Sequence, residues 1–142
     1  MARILIVDDD PDIRLALGSI LRSRSHEVIE ARDGQEGLVK LREEKPDLML
    51  LDLLMPKMDG FAVAKELQNS QWKEYHSMPV LIMSSVREEA SQRRYELETG
   101  RRLGANDYVE KPIEPFALLE RINKLLSKGG KDAEANEDPR DR

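Results

Sequence analysis

Four groups of side chains in this chain have the types and spacing to do chemistry. Asp8, Asp9 and Asp10 follow the apolar run Arg3 to Val7, and Asp52 follows Leu48 to Leu51. Ser84 and Ser85 follow Pro79 to Met83, and Lys111 comes just after Ala105 to Val109. Neighbouring carboxylates repel one another and need a cation among them. Mg²⁺ suits them, because it prefers carboxylate and water oxygens in octahedral geometry. A lysine supplies a point charge and a serine a hydroxyl, and both match the oxygens of a phosphoryl group. Acids, Mg²⁺, Ser84 and Lys111 around one exposed carboxylate, Asp52, make a site for phosphoryl transfer to that carboxylate.

Such a site exists only if the ends of several strands meet, and the chain has the elements for this. The runs Arg3 to Val7, Leu48 to Leu51, Pro79 to Met83 and Ala105 to Val109 read as buried strands, with Glu27 to Ala31 as a further one. Between them lie helical patterns. Pro11 suits a first helical position, with Asp10 as a capping acid and Ile13, Leu17, Ile20 and Leu21 on one face. Asp33-Gly-Gln-Glu36 has capping-box spacing, Asp33 accepting from backbone N–H groups and Glu36 reaching back. Asp59-Gly60 opens a third helix. The charges from Val86 to Leu103 suggest a fourth, with a weak apolar stripe. Pro115 opens the last, with Phe116, Leu119, Ile122 and Leu126 inward. Asn69 to Ser77 reads as a loop, over which Trp72 and Tyr75 can fold back. Alternation of strand and helix predicts an α/β fold: a parallel sheet with helices on both faces. In such sheets function collects at the carboxyl ends of the strands.

Composition sets the outer bounds. A chain of 142 residues suits one domain. Its net charge of -5 argues against nucleic acid as the main partner, since phosphate binding needs a basic face. With no cysteine there is no disulfide or thiolate metal site. The first apolar run is too short for a signal peptide or a membrane span, so the expected setting is cytoplasmic. His26 and His76 are expected at the surface. Residues 128–142 are poor in apolar side chains and read as a flexible polar tail beyond a domain at 3–127.

The motifs Ile-Val-Asp8-Asp9, Leu-Asp52-Leu-Leu-Met-Pro56-Lys-Met-Asp59-Gly60, Val-Leu-Ile-Met-Ser84-Ser85 and Tyr108-Val-Glu-Lys111-Pro112, in this order and each at a strand end, resemble the receiver domain of two-component response regulators, here of the stand-alone type. The resemblance implies a flavodoxin-like sheet of strand order 2-1-3-4-5 with five helices. It implies that Asp52 is the phospho-acceptor, Asp9 a direct Mg²⁺ ligand, Asp8 its neighbour acting through water, and the Leu54 carbonyl a further ligand. Ser84 matches the residue that bonds the phosphoryl group, Lys111 the lysine that pairs with it, and Tyr108 the aromatic switch. A cis Lys111–Pro112 peptide is also implied. Two departures stand out: the stretch from Ser84 to Lys111 is longer than usual, and Leu54 and Val86 are apolar where polar side chains are common.

The function implied is a phosphorylation-controlled binding module rather than an enzyme, one that promotes its own phosphotransfer and dephosphorylation. A histidine kinase or phosphotransfer protein would supply the phosphoryl group. An unidentified protein target would bind the face made by the fourth helix, the fifth strand and the last helix. Too few residues follow the last helix for a helix-turn-helix module, so direct DNA binding is not expected, nor is membrane binding. The competing enzyme is a haloacid-dehalogenase-like phosphatase with Asp8-Asp9-Asp10-Pro11-Asp12 as its motif, but the final Thr is absent. A phosphorylation-independent scaffold is disfavoured by intact Asp52, Ser84 and Lys111.

Overall fold

The strands β1 (Arg3–Val7), β2 (Glu27–Ala31), β3 (Leu48–Asp52), β4 (Val80–Ser84) and β5 (Asp107–Glu110) form one parallel sheet in the computed structural model, in the order β2-β1-β3-β4-β5. The structure describes residues 1–84 and 107–135, and side chains as far as residue 127. Ser85, Val86 and the helix expected up to Leu103 lie outside the described residues.

The strands are buried because helices cover both sheet faces. Side-chain alternation divides the core accordingly. Leu5, Val7, Met49, Leu51, Val80 and Ile82 pack under α2 (Gly34–Glu44), α3 (Gly60–Leu67) and a 3₁₀ helix at Ser70–Tyr75. Ile4, Ile6, Leu48, Leu50, Leu81 and Met83 pack under α1 (Pro11–Arg22) and the C-terminal helix (Pro115–Ala135). The caps act as their sequences predict. Asp10, Asp33 and Asp59 each accept a backbone N–H from the first turn of α1, α2 and α3. Glu36 reaches back one residue further than a capping box requires, to the N–H of Arg32 at 2.8 Å.

Several boundaries differ from the sequence reading. β3 takes in Asp52 and β4 takes in Ser84, because Asp52 pairs with Met83 and Ser84 with Glu110 in the continuing ladder. Of the strand expected from Ala105 to Val109, the described part is Asp107 to Glu110, and Ala105 lies outside the described residues. The loop expected from Asn69 to Ser77 contains the 3₁₀ helix. Trp72 and Tyr75, three residues apart, lie on one side of such a helix and are both buried. The Trp72 indole donates to Glu66 at 2.8 Å, and the Arg42 guanidinium lies 4.0 Å above its ring. The C-terminal helix runs through Gly129-Gly130 to Ala135, past the expected boundary at 127. The Lys, Glu and Ala residues of that stretch favour helix without any apolar face. His26 is half-buried rather than a free surface group: its Nδ1 accepts the Ala2 N–H at 3.1 Å, and burial pushes its pKa down. His76 is exposed, as expected.

Candidate functional site

Parallel strands that start on one edge of a sheet end together on the other, and this brings the candidate residues into one place. Asp8 extends β1 by one residue, with its N–H donating to the Ala31 carbonyl at 3.1 Å. Asp52 closes β3 on the neighbouring strand. One carboxylate oxygen from each of Asp8, Asp9 and Asp52 lies within 4.8 Å of the others. Lys111, just past β5, reaches into this group. Its Nζ donates to Asp52 Oδ1 at 2.8 Å and lies 3.5 Å from Asp8 Oδ2. Its backbone N–H is held by the Ser84 carbonyl at 2.7 Å.

The expectation of an exposed Asp52 needs correcting. Asp52 is 2% exposed and Asp8 1%, while Asp9 faces solvent. A carboxylate can be buried here because the lysine amine partners it directly, which offsets the desolvation cost. Asp8 is less well served. Its Oδ1 accepts the Asp10 N–H at 3.0 Å, but its Oδ2, 3.5 Å from the Lys111 amine, is buried with no hydrogen-bond partner among the described residues. Burial pushes its carboxyl above the usual range, against the pull of the Asp10 N–H and of Lys111. A buried oxygen short of a hydrogen bond within a set of three carboxylates is the chemistry of a hard divalent cation site, so the residues fit Mg²⁺.

The remaining expected residues fall around this group. Ser84 is 3% exposed and ends β4, next along the chain from Met83, which pairs with Asp52. Tyr108 is half-buried on β5, beside Ile82, and packs on the α2–α3 side of the sheet. Leu54 follows Asp52 closely and is 40% exposed. The Lys111–Pro112 peptide is cis. Arg14 was not singled out from the sequence. Its guanidinium donates to the Asp8 carbonyl at 2.7 Å and to Glu30 at 3.1 Å, tying α1 and β2 to the end of β1. Its place one turn after the acidic run was the only available signal.

The strain at Asp8 has a measurable consequence. Its ionised form opposes folding when no metal is present, and this penalty vanishes as pH falls and the carboxyl protonates. In excess chelator, Asp8→Asn is expected to stabilise the protein at neutral pH by about 1 kcal/mol. The gain should shrink toward about pH 4, near the unperturbed carboxylate value. Thermal melts at both pH values test this, and a lower melting temperature for the variant at neutral pH would refute it.

Comparison with known proteins agrees with this geometry. A family model described as the response regulator receiver domain matches residues 4–123. Protein PilH of Pseudomonas aeruginosa is 37% identical over 127 residues, covering 89% of this chain and 99% of that protein. The alkaline phosphatase synthesis transcriptional regulatory protein PhoP of Bacillus subtilis is 36% identical over 124 residues, but the match spans only 48% of its length. Among solved structures, a CheY-like receiver domain protein from Methanospirillum hungatei superposes with a TM-score of 0.76 at 30% identity, over 94% of this chain and 99% of that one. Chemotaxis protein CheY4 of Vibrio cholerae gives a TM-score of 0.71 at 30% identity, over 88% and 98%.

Proposed function

Because the chain belongs to the response regulator receiver domain family, we propose that it takes a phosphoryl group onto Asp52 from a histidine kinase or phosphotransfer protein and thereby switches its binding to a protein target. It is a signalling domain of two-component systems, a reading that the comparisons favour over a haloacid-dehalogenase-like phosphatase. The observation that carries the site assignment is the Lys111 amine 2.8 Å from Asp52 Oδ1, with Asp8 and Asp9 gathered at the same point.

In the reaction an Asp52 carboxylate oxygen forms a bond to phosphorus as the phosphorus–nitrogen bond of the donor phosphohistidine breaks. The electron pair of that bond leaves with the imidazole. Lys111 moves from neutralising the carboxylate to pairing with a phosphoryl oxygen, and the Ser84 hydroxyl donates to another. Asp8, Asp9, Asp52 and the Leu54 carbonyl would hold Mg²⁺, which when bound offsets the charge of the phosphoryl oxygens. The switch would draw Ser84 toward the phosphoryl group and turn Tyr108 inward. That repacks the face of β5 and the C-terminal helix to which a target binds. The receiver unit is taken as residues 3–127, with 128–142 as an extension. No helix among the described residues is long and apolar enough to cross a membrane, and a cytoplasmic setting suits a kinase-fed switch. The reading is tested by phosphoryl transfer from purified candidate kinases with and without chelator. Labelling that is indifferent to chelator would overturn the Mg²⁺ dependence.

Leu54 and Val86 bear on how long the phosphorylated state lasts. Hydrolysis needs a water in line with the Asp52 oxygen–phosphorus bond, and neither side chain can hydrogen-bond to it. Self-dephosphorylation is therefore expected to be slow. The double variant Leu54→Asn with Val86→Glu should speed the decay of phospho-Asp52 in excess Mg²⁺, since it supplies groups that can orient the water. Unchanged decay in the variant would remove the basis for this.

A further inference from the structure

The loop between β3 and α3 carries Leu54 and is tied down at two points. At its base the Gly60 N–H donates to the Leu53 carbonyl at 2.8 Å. Near its far end the Gly34 N–H, from the first turn of α2, donates to the Met58 carbonyl at 3.0 Å. Gly34 is there because of close approach. A Cβ on it would clash with the Met58 carbonyl oxygen and would lie 2.6 Å from Val63 Cγ2 and 2.9 Å from Met58 Cγ. Its neighbour Asp33 is buried, caps α2 through Oδ1, and presents Oδ2 to the Lys57 amine at 4.0 Å. Lys57 has φ of 65°, a left-handed conformation that a lysine rarely adopts unless its surroundings hold it. The N-terminus of α2 therefore grips this loop through a backbone hydrogen bond, a close contact and an ion pair.

We propose that Asp33 and Gly34 are positioning residues for the phosphorylation site. By fixing the loop from Leu53 to Asp59 they fix where the Leu54 carbonyl meets the pocket of Asp8, Asp9 and Asp52. This rests on the reading of that pocket as the Mg²⁺ site. Neither residue belongs to the Asp8, Asp9 and Asp52 group. Their contribution is that the loop needs no rearrangement when the ion binds.

The test is Mg²⁺ affinity by calorimetry on Gly34→Ala, with Leu41→Ala as a control. Leu41 lies two turns further along α2 in the core, so its loss weakens the fold while leaving the Gly34 N–H bond to the Met58 carbonyl in place. Gly34→Ala is expected to weaken Mg²⁺ binding about tenfold, the scale seen when outer supports of a metal site are lost. Leu41→Ala should leave the affinity unchanged. Equal affinity in folded Gly34→Ala and the natural protein would overturn the proposal. If Gly34→Ala does not fold, Lys57→Gly and Lys57→Asn decide. Both remove the same charge, but Asn tolerates the left-handed backbone while Gly frees it. The lost cation alone would tighten Mg²⁺ binding in both. Weaker binding in Lys57→Gly than in Lys57→Asn supports loop positioning, and equal binding refutes it. A natural protein that binds no Mg²⁺ would instead overturn the reading of the pocket, and this proposal with it.

Discussion

Asp52→Asn is expected to abolish phosphoryl incorporation. The natural protein, treated with acetyl phosphate and Mg²⁺, should gain the mass of one phosphoryl group, and the variant none. The amide is isosteric, so Lys111 and Ser84 keep their surroundings, but it lacks the anionic oxygen that must attack phosphorus. Other carboxylates lie close by. Asp8 is buried with an oxygen facing Lys111, and Asp9 is exposed at the rim. Among the described carboxylates, Asp52 lies nearest the Lys111 amine, at 2.8 Å against 3.5 Å for Asp8, and it closes a central strand. The assignment fails if Asp52→Asn is labelled at the natural rate.

Lys111→Met should have the largest effect on stability. The lysine side chain is 21% exposed, but the carboxylates it serves are 2% and 1% exposed. Its removal leaves two buried acids facing each other without a cation. Breaking such a buried pair costs about 3–5 kcal/mol, less whatever the acids recover by taking up a proton. The deficit belongs to the ionised carboxylates, so it is full at neutral pH and fades as they protonate toward about pH 4. Mg²⁺ should restore part of it by replacing the lost charge. Asp8→Asn should do the same, making the two substitutions non-additive. Denaturant unfolding in chelator at both pH values measures all of this. Natural stability for Lys111→Met at neutral pH would show that the ion pairs contribute nothing net.

The pattern along the chain was enough to place the five strands and to mark the residues that gather at the candidate site. Apolar runs separated by amphipathic stretches leave few alternatives to a parallel sheet with helices on both faces. Its topology then sends Asp8, Asp52, Ser84 and Lys111 to one edge. The caps Asp10, Asp33 and Asp59 were legible because a cap acts within its own turn, over residues adjacent in sequence. The tertiary structure decided what depends on packing at a distance. That Asp52 is buried follows from a lysine amine that reaches it from β5, and no local pattern reports this. The burial of the Asp8 carboxylate, the Arg14 grip on the Asp8 carbonyl and the contact of Gly34 with the β3–α3 loop have the same origin. Trp72 and Tyr75 lie in a polar stretch that reads as a loop, because only the core beside them shows what their rings cover. The run from residue 128 to Ala135 is helical although its sequence lacks an apolar stripe, since propensity can extend a helix that packing has already nucleated. Local chemistry is written along the chain, whereas burial and contact between distant segments exist only once the chain has folded.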